Sequence, residues 1–313
     1  MKKTKIMGCV MAAAMIMGLT GCNGGSNSGS SYGQNSSSGN SSNGSSDAGQ
    51  SSAVTGKITV ISREDGSGTR GAFVELMGIE QKNEAGEKED MTRADAEINN
   101  TTNGVMMSVA GNANALGYIS LGSLNDTVKA VKVDGVEVSA ENIKSGSYKV
   151  ARPFEICYKE DNLDDLSKDF IKFITSKEGQ AIVEENGYLP IDTTESYTAA
   201  AQSGTVSCNG STSVGPLMEK LAAKYEELTG AKVEVQQTGS GAGITAATEG
   251  ACNIGMSSRE LKQEELDAGL TELKIADDGI AVIVNNSNPI ESISSEQIMK
   301  IYTGEINNWE EIK

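Results

Sequence analysis

Short apolar runs alternate with amphipathic stretches along residues 57–313, and this alternation predicts strands that are each followed by a helix. The segments Lys57–Ser62 (KITVIS) and 205–209 (TVSCN) are the two most regular strands. Further strands are predicted at 115–120, 128–133, 232–236 and 252–256. Such an order is typical of open, mostly parallel α/β sheets, in which ligands bind at the carboxyl ends of the strands.

The predicted helices have apolar residues at helical spacing. One apolar helix face is formed by Leu217, Leu221, Tyr225 and Leu228, with Pro216 suited to the first turn and Gly230 to the end. A longer helical tract is predicted over Leu163–Asn186. Two capping boxes predict helix starts at Ser257-Ser258-Arg259-Glu260 and at Ser294-Ser295-Glu296-Gln297.

The N-terminus has the features of an export signal. Three lysines (Lys2, Lys3 and Lys5) precede an apolar run from Ile6 to Leu19, which is too short for a comfortable spanning helix. The sequence Leu19-Thr20-Gly21-Cys22 resembles the bacterial lipoprotein box. That resemblance implies removal of signal peptide 1–21, a lipid such as palmitate on Cys22, and anchoring to the extracytoplasmic face of the cell membrane. The alternative is an ordinary signal peptide with a chance cysteine.

A polar segment follows the lipidation site. Residues 23–56 contain 13 Ser, 8 Gly and 5 Asn, with a single charged residue, Asp47. Such a composition cannot bury enough apolar surface to order itself. We therefore expect residues 22–56 to be a lipid-anchored linker with a root-mean-square reach of roughly 30 Å.

Composition excludes several classes of function. The chain has no histidine, which excludes a Ser–His–Asp triad, a Cys–His pair and any imidazole-dependent zinc site. Its 43 acidic residues outnumber 26 basic ones, giving a net charge of −17, so nucleic acid is not an expected partner. Cys157, Cys208 and Cys252 have no metal-type spacing. We expect buried free thiols, with a Cys208–Cys252 bridge left open.

Four strand-to-helix turns combine glycine with small hydroxyl residues. They are Arg63–Thr69, Asn209–Gly215, Thr238–Gly243 and Gly255–Arg259. Each turn presents unpaired backbone N–H groups at a helix N-terminus, which favours a bound anion. One such turn by itself is usually only a capped helix, but four turns with Arg63 at the head of the first predict an anion site. None fits the nucleotide-binding pattern GxxxxGK[ST].

These turns resemble those of the phosphate-binding lipoproteins of phosphate ABC importers. The similarity is carried by ISREDGSGTRGAF (61–73), GSTSVGP (210–216), GSGAG (239–243) and IGMSSR (254–259), and also by GYIS (117–120), EGQAIV (178–183) and IYTG (301–304) with Trp309. It covers nearly all of residues 57–313, the expected solute-binding domain. The resemblance implies an α/β, two-lobed periplasmic-binding-protein-like fold of type II, with a mixed, mostly parallel sheet in each lobe.

The two halves stand in exchanged order relative to the usual member of that family. The SREDGSGTR half comes first here, and the segment with IYTG and Trp309 comes last. We interpret the chain as circularly permuted, with the original termini joined through residues 192–203; the alternative is a fragment of a tandem array. Permutation implies crossing strands near 148–157 and 277–285. One lobe would be discontinuous, about 57–150 plus 282–313, and the other continuous, about 151–281.

The resemblance also implies a set of phosphate contacts. Arg63 would supply the full counter-charge. Hydroxyl and backbone N–H groups would come from Ser67, Gly68 and Thr69 on one lobe and from Thr212, Ser213, Ser240 and Ser258 on the other. Asp65 would accept the proton of hydrogen phosphate and so reject sulfate; its alternative role is a structural ion pair with Arg63. Some family members have a second carboxylate where this chain has Ser258.

The function implied is a monomeric receptor that binds inorganic phosphate and delivers it to the membrane permease of an ABC importer. No cofactor, metal or catalytic residue is expected. One alternative is a binding protein for another tetrahedral oxyanion, such as sulfate, molybdate or a phosphonate. A second is a secreted phosphoryl-transfer enzyme, which the lack of histidine, of clustered carboxylates and of an activated nucleophile disfavours.

Overall fold

The computed structural model describes residues 54–83, 86 and 88–312. Signal peptide 1–21, Cys22 and the linker up to residue 53 lie outside the described residues. The strands are β1 Thr59–Arg63, β2 Glu80–Lys82, β3 Lys88–Asp90, β4 Glu97–Asn99, β5 Ala115–Ser120, β6 Lys129–Ala130, β7 Lys132–Val133, β8 Ala151–Tyr158, β9 Leu189–Pro190, β10 Thr205–Gly210, β11 Lys232–Gln237, β12 Ile254–Ser257, β13 Thr271–Val284 and β14 Ser292–Ile293.

Although β2, β3 and β4 follow one another directly, most of the longer strands are followed by helices, as the hydrophobic pattern predicts. The helices are α1 Gly68–Leu76, α2 Thr102–Gly111, α3 Ala140–Lys144, α4 Asp165–Ile174, α5 Lys177–Glu185, α6 Gly215–Thr229, α7 Ser240–Glu249, α8 Gln263–Asp267 and α9 Ser295–Thr303, with short 3₁₀ turns at Leu121–Ser123, Glu160–Asn162 and Trp309–Glu311. Across the described ranges, no helix is both long enough and apolar enough to cross a bilayer.

The main sheet has ten strands, eight of them in the order β11-β10-β12-β8-β13-β5-β1-β4, with β6 and β9 also paired to β13. Pairing is parallel toward both edges, where β10 joins β11 and β12 and β1 joins β4 and β5. It is antiparallel in the middle, where β8 and β13 pair with each other and with their neighbours. This mixed arrangement confirms the predicted α/β fold class, but the described strands form one continuous sheet with four parallel and five antiparallel pairings, not a mostly parallel sheet in each lobe.

Two large apolar cores pack against this sheet, one against each end of the strand order. The first contains Phe73 and Tyr118, whose rings stack with centroids 3.9 Å apart. The second contains Phe173 and Tyr225, whose centroids are 5.7 Å apart. Strand β13 contributes Ile275 and Ala276 to the second core and residues 280–284 to the first. The cores therefore separate at the strands where the predicted lobes meet; the lobe boundaries themselves stay a prediction.

Local signals placed most helices correctly, with one clear error. Helix α6 begins and ends as predicted, and Gly230 adopts the left-handed conformation at its end with φ 84°. The capping box at Ser294 is confirmed. The capping box at Ser257 is wrong, because Ser257 is the last residue of β12, its hydroxyl donates to the Arg259 carbonyl at 2.7 Å, and the next helix begins only at Gln263.

The long helical tract predicted over Leu163–Asn186 consists of two helices, α4 and α5. Ser176 separates them: its side chain caps α5 by accepting from the Gly179 N–H at 3.2 Å. A hydroxyl at this position competes with the helical hydrogen-bond pattern, so the chain ends one helix and starts the next.

The three cysteines of the described body are free and buried, as predicted, so the Cys208–Cys252 bridge is not formed. Burial raises the pKa of the Cys157 thiol to about 12 and that of Cys252 to about 11, which keeps both thiols protonated.

The first and last parts of the folded body lie side by side. The Ile58 N–H donates to the Asn307 carbonyl at 2.8 Å, and the Trp309 N–H donates to the Gly56 carbonyl at 3.1 Å. The Trp309 indole also donates to the Asn114 carbonyl at 3.1 Å. The segment that precedes β1 is thus held against the segment that follows α9.

Candidate anion-binding site

Three helix N-termini meet where β1 and β10 end; side chains cap α1 and α2, and a serine turn precedes α6. The Ser67 hydroxyl accepts from the Arg70 N–H at the start of α1, and the Thr101 hydroxyl accepts from the Gly104 N–H at the start of α2. Before α6, the Ser211 hydroxyl accepts from the N–H groups of Ser213 and Val214 at 3.2 and 3.3 Å. These caps leave the helix dipoles directed at one region.

Side chains beside these helix starts form a buried network, which we call the hydroxyl cluster: Thr69, Thr102, Thr212 and Ser213. The Thr69 and Ser213 hydroxyls are 2.8 Å apart. The Thr102 hydroxyl lies 3.2 Å from that of Thr212 and 3.3 Å from that of Ser213. All four residues are buried. Hydroxyl groups can donate or accept, so this cluster can adapt its hydrogen bonds to an oxyanion.

Arg63, the last residue of β1, is directed at the hydroxyl cluster. Its side chain is 2% exposed, and its Nη2 donates to the Thr212 hydroxyl at 2.9 Å. The same guanidinium binds Glu64 with two hydrogen bonds, from Nε at 2.8 Å and from Nη2 at 2.9 Å, and Nε also donates to the Asn99 carbonyl. The positive charge at this site is therefore paired with the carboxylate of the adjacent residue.

A pair of serines lies next to the start of α1. The Ser240 and Ser258 hydroxyls are 3.3 Å apart, and the Ser258 N–H donates to the Ser240 hydroxyl. A Cβ added at Gly68 would lie 2.6 Å from the Ser240 oxygen and 2.8 Å from the Ser258 oxygen. Only glycine fits between α1 and these serines without displacing them. The Gly241 N–H also donates to the Gly66 carbonyl, which joins the two turns directly.

Asp65 differs from the expectation. Its side chain is 95% exposed and pairs with Arg70 at 2.6 Å, while Arg70 also binds Asp90 at 2.7 Å. The alternative interpretation, an Asp65–Arg63 ion pair, is wrong, because Glu64 holds Arg63 and Arg70 reaches back from α1 to hold Asp65. The structure does not bring Asp65 into the hydroxyl cluster, and its contact with a ligand stays a prediction.

The structure therefore brings together eight of the nine residues predicted to bind the anion: Arg63, Ser67, Gly68, Thr69, Thr212, Ser213, Ser240 and Ser258. It also adds two that the sequence analysis missed, Thr102 and Glu64. The signal for Thr102 was present, since Thr101-Thr102-Asn103-Gly104 precedes an apolar run in the same way as the other turns. The strand before it, β4, is short and exposed, which hid the pattern.

The Tyr118 hydroxyl binds the end of β1 beside Arg63. Its hydroxyl accepts from the Arg63 backbone N–H at 3.3 Å and lies 2.9 Å from the Ser62 hydroxyl. Burial raises the pKa of Tyr118 to about 12, so the phenol stays neutral and keeps its proton for hydrogen bonding.

Two open cavities adjoin the site. One, of about 440 Å³, has Thr102 and Thr212 of the hydroxyl cluster in its wall, together with Met106 and Gln237. The other, of about 1190 Å³, runs past the start of α1 and α7; its lining includes Ser67, Arg70, Arg152, Gly241 and Arg259.

Comparisons with known proteins agree on one family of solute-binding proteins. Residues 41–178 and 195–312 match the model of the PBP superfamily domain. The chain is 47% identical over 263 residues to phosphate-binding protein PstS 2 of Streptococcus agalactiae serotype V, covering 84% of this chain and 90% of that protein. It is also 47% identical over 263 residues to phosphate-binding protein PstS 2 of Streptococcus pneumoniae serotype 4, covering 83% and 89%.

A solved structure gives the same result at the level of the fold. The crystal structure of a phosphate-binding protein of a phosphate ABC transporter from Streptococcus pneumoniae TIGR4 has 47% sequence identity and a TM-score of 0.65. The match covers 82% of this chain and 100% of that one. By contrast, the phosphate-binding protein PstS of Bacillus subtilis is 37% identical over only 113 residues, 35% of this chain and 38% of that protein.

Proposed function

The chain belongs to the PBP superfamily and to its phosphate-binding proteins of ABC transporters, and on this premise we propose how it binds its ligand. Inorganic phosphate is held between Arg63, the hydroxyl cluster, the N–H groups that begin α1 and the serines at 240 and 258. The observation that carries this proposal is the junction of helix N-termini from both cores around one buried guanidinium.

The chemistry of these groups suits a protonated oxyanion. The helix starts and hydroxyls supply neutral hydrogen-bond donors, and Arg63 supplies a planar charged donor. Each oxygen of the Glu64 carboxylate accepts one N–H from Arg63 and has a further lone pair to offer. A ligand O–H can use such an acceptor, whereas sulfate, which has no proton at neutral pH, would only be repelled. Discrimination between phosphate and sulfate follows from this difference.

The decisive experiment is an equilibrium titration of the full chain with phosphate, sulfate and arsenate by isothermal titration calorimetry. We expect phosphate and arsenate to bind and sulfate to bind at least ~10³-fold more weakly, because an unpaired carboxylate is costly. Equal affinity for sulfate would contradict the proposal and favour the alternative of a general oxyanion receptor.

Phosphate binding should also draw the two cores together. The proposed contacts divide between them: Thr69 lies on α1, packed in the first core, and Ser213 precedes α6, packed in the second. A ligand held by both parts shifts the balance between open and closed forms by its differential affinity. Small-angle scattering should show a smaller radius of gyration with phosphate than with sulfate. Identical curves would mean that closure does not depend on the ligand.

We further propose that the protein acts without catalysis, as a monomer that passes phosphate to the permease of its importer. Its position at the extracytoplasmic face would come from a lipid on Cys22 and a linker to residue 56. Incorporation of labelled palmitate by the wild type, and its loss in Cys22→Ser with release of the protein into the medium, would support anchoring. Release of the wild type would contradict it.

A further inference from the structure

A buried ion pair joins the two strands that connect the cores. Arg152 on β8 and Asp278 on β13 are register partners in the antiparallel pair. Their side chains are 2% and 0% exposed, and Arg152 Nη2 lies 3.2 Å from Asp278 Oδ2. The pair thus sits at the crossing between the parts of the molecule that each supply half of the anion site.

The two partners are satisfied to different degrees. Asp278 also accepts from the Ser120 hydroxyl at 2.9 Å and from the Gly122 backbone N–H. Arg152 Nε and Nη1 are buried and have no hydrogen-bond partner among the described residues; the guanidinium carbon lies 5.4 Å from the centre of the Phe154 ring. Burying donors of a charged group without partners is costly, so Arg152 would gain from a nearby anion.

Arg152 lines one of the two cavities that adjoin the anion site. It shares the wall of the larger cavity with Ser67 at the start of α1. Burial lowers the pKa of Arg152 from its ordinary value, the Asp278 carboxylate partly offsets this, and the charge of Arg63 has a smaller lowering effect, so Arg152 lies within the field of Arg63. Strand β5 contacts both Arg63 and the Arg152–Asp278 pair. The Tyr118 hydroxyl accepts from the Arg63 N–H, and the Ser120 hydroxyl, two residues later on the same face of the strand, donates to Asp278.

The other arginines around the cleft have full ionic partners. Arg63 is bound through two hydrogen bonds by Glu64. Arg70 is paired with Asp65 and Asp90, and Arg259 is paired with Glu265. Among these four arginines, only Arg152 has buried N–H groups that no described residue accepts.

We propose that Arg152 is a second cationic determinant of phosphate affinity, acting on the bound anion from the strand crossing and opposed by Asp278. The inference rests on the proposed phosphate site. Charges interact more strongly in the buried crossing than in water, so a guanidinium that does not touch the ligand can still stabilise it. A second positive charge also favours the dianionic form of phosphate over the monoanion.

The test compares variants of opposite sign by calorimetric titration of the full chain with inorganic phosphate. Arg152→Met should weaken binding about tenfold or more, because removing a buried charge near the anion in a medium of intermediate dielectric costs on the order of 1–2 kcal/mol. Asp278→Asn should tighten binding, since it removes the opposing charge, and Arg152→Lys should retain most of the affinity.

A purely structural pair predicts a different outcome. Arg152→Met and Asp278→Asn would then both be less stable than the wild type, while the folded fraction of each would bind phosphate with wild-type affinity. That result overturns the proposal, and so does weaker phosphate binding by both variants. If Arg152→Met fails to fold, the neutral double variant Arg152→Met/Asp278→Asn takes its place and should bind more weakly than Asp278→Asn alone.

The matched control is Arg93→Met. Arg93 is another mostly buried arginine that pairs with a carboxylate, Asp95, and has a buried Nη1 without a described partner. It does not line either cavity at the site, so its loss should leave the phosphate dissociation constant unchanged. A wild type that binds no phosphate would contradict the proposed function itself, whereas wild-type binding with no effect of Arg152→Met contradicts only this inference.

Discussion

The Thr69 hydroxyl lies 2.8 Å from the Ser213 hydroxyl, although 144 residues separate the two in the chain. Thr69 belongs to the first turn of α1, which packs in the first core through Phe73, and Ser213 precedes α6, which packs in the second core through Leu217. This single contact joins two helix N-termini that the sequence places in different halves. The site consequently exists only when both cores are in place.

Helix α1 lies so close to Ser240 and Ser258 at Gly68 that a larger residue there should weaken phosphate binding. In Gly68→Ala, the new methyl group would collide with the Ser240 and Ser258 oxygens at 2.6 and 2.8 Å and hold the two turns apart. Overpacking of this kind costs about 1–3 kcal/mol, so phosphate affinity should fall by roughly 5- to 150-fold. Calorimetry measures the affinity, and thermal unfolding without ligand shows whether the fold is kept.

The control for this substitution is Gly71→Ala in the same helix. A Cβ at Gly71 has its nearest neighbour, Arg259 Cδ, at an ordinary contact distance of 3.7 Å. It should leave affinity unchanged and stabilise α1 slightly through helix propensity. Equal loss in both variants would show that α1, rather than the contact with the serines, determines the effect.

Substitutions of two neighbouring carboxylates, Glu64 and Asp65, should affect the selectivity for phosphate over sulfate to different extents. Glu64 binds Arg63 directly, so Glu64→Gln should admit sulfate more readily and lower the ratio of phosphate to sulfate affinity by about tenfold or more. Asp65 is exposed and paired with Arg70, so Asp65→Asn should change that ratio by no more than about twofold. Competition titrations measure both ratios. A large effect of Asp65→Asn beside a small one of Glu64→Gln would restore the sequence-based assignment.

Thr102 is a predicted contact that only the structure identified. Thr102→Val removes the hydroxyl that lies between Thr212 and Ser213 and keeps the shape of the side chain. Leaving buried partners unsatisfied costs about 1–3 kcal/mol, so phosphate affinity should fall by roughly 5- to 150-fold. The control is Thr245→Val, at an exposed threonine of α7 on the cavity rim. Similar affinities for the two variants would remove Thr102 from the site.

Stability should decrease as the pH rises because of Glu155. Burial, and then the negative charge of Glu272, raises the pKa of Glu155 to about 8. The folded protein therefore holds a proton that the unfolded chain releases above about pH 4.5, and the free energy of unfolding falls as the pH increases from there to about 8.

Glu155→Gln should abolish this part of the pH dependence. Urea unfolding at pH 5 should give similar stabilities for wild type and variant, while at pH 8.5 the variant should be the more stable one. The exposed Glu234, on β11, supplies the control, since Glu234→Gln should follow the wild-type profile. A difference in stability between wild type and Glu155→Gln that is the same at pH 5 and at pH 8.5 would mean that Glu155 is already ionised in the folded protein at pH 5.

Permutation predicts that the chain can be reconnected in the other order. The segment before β1 lies against the segment after α9, since Trp309 N–H donates to Gly56 and Ile58 N–H to Asn307. A chain that begins at residue 204, runs through Lys313 into Lys57 and ends near residue 191 should fold and bind phosphate with near wild-type affinity. Failure to fold would favour the tandem-fragment interpretation.

The sequence by itself determined the strands, most helices and the turns that contain the anion contacts. Those features depend on interactions within a few residues: the Ser294 capping box, the left-handed Gly230 at the end of α6 and the glycine-rich turn at Gly66 to Gly68. Local hydrogen bonds and backbone conformations are encoded where they occur, so a pattern of residue types is enough to predict them.

Only the tertiary structure decided which side chains meet. Glu64 rather than Asp65 binds Arg63, because Arg70 returns from α1 and captures Asp65 at the surface. Thr102 joins the hydroxyl cluster because the pairing of β4 with β1 brings the start of α2 beside Arg63. Ser257 stays in a strand because β8 pairs with it. Each outcome depends on the direction of a side chain relative to a partner far away in sequence, which local propensity does not specify.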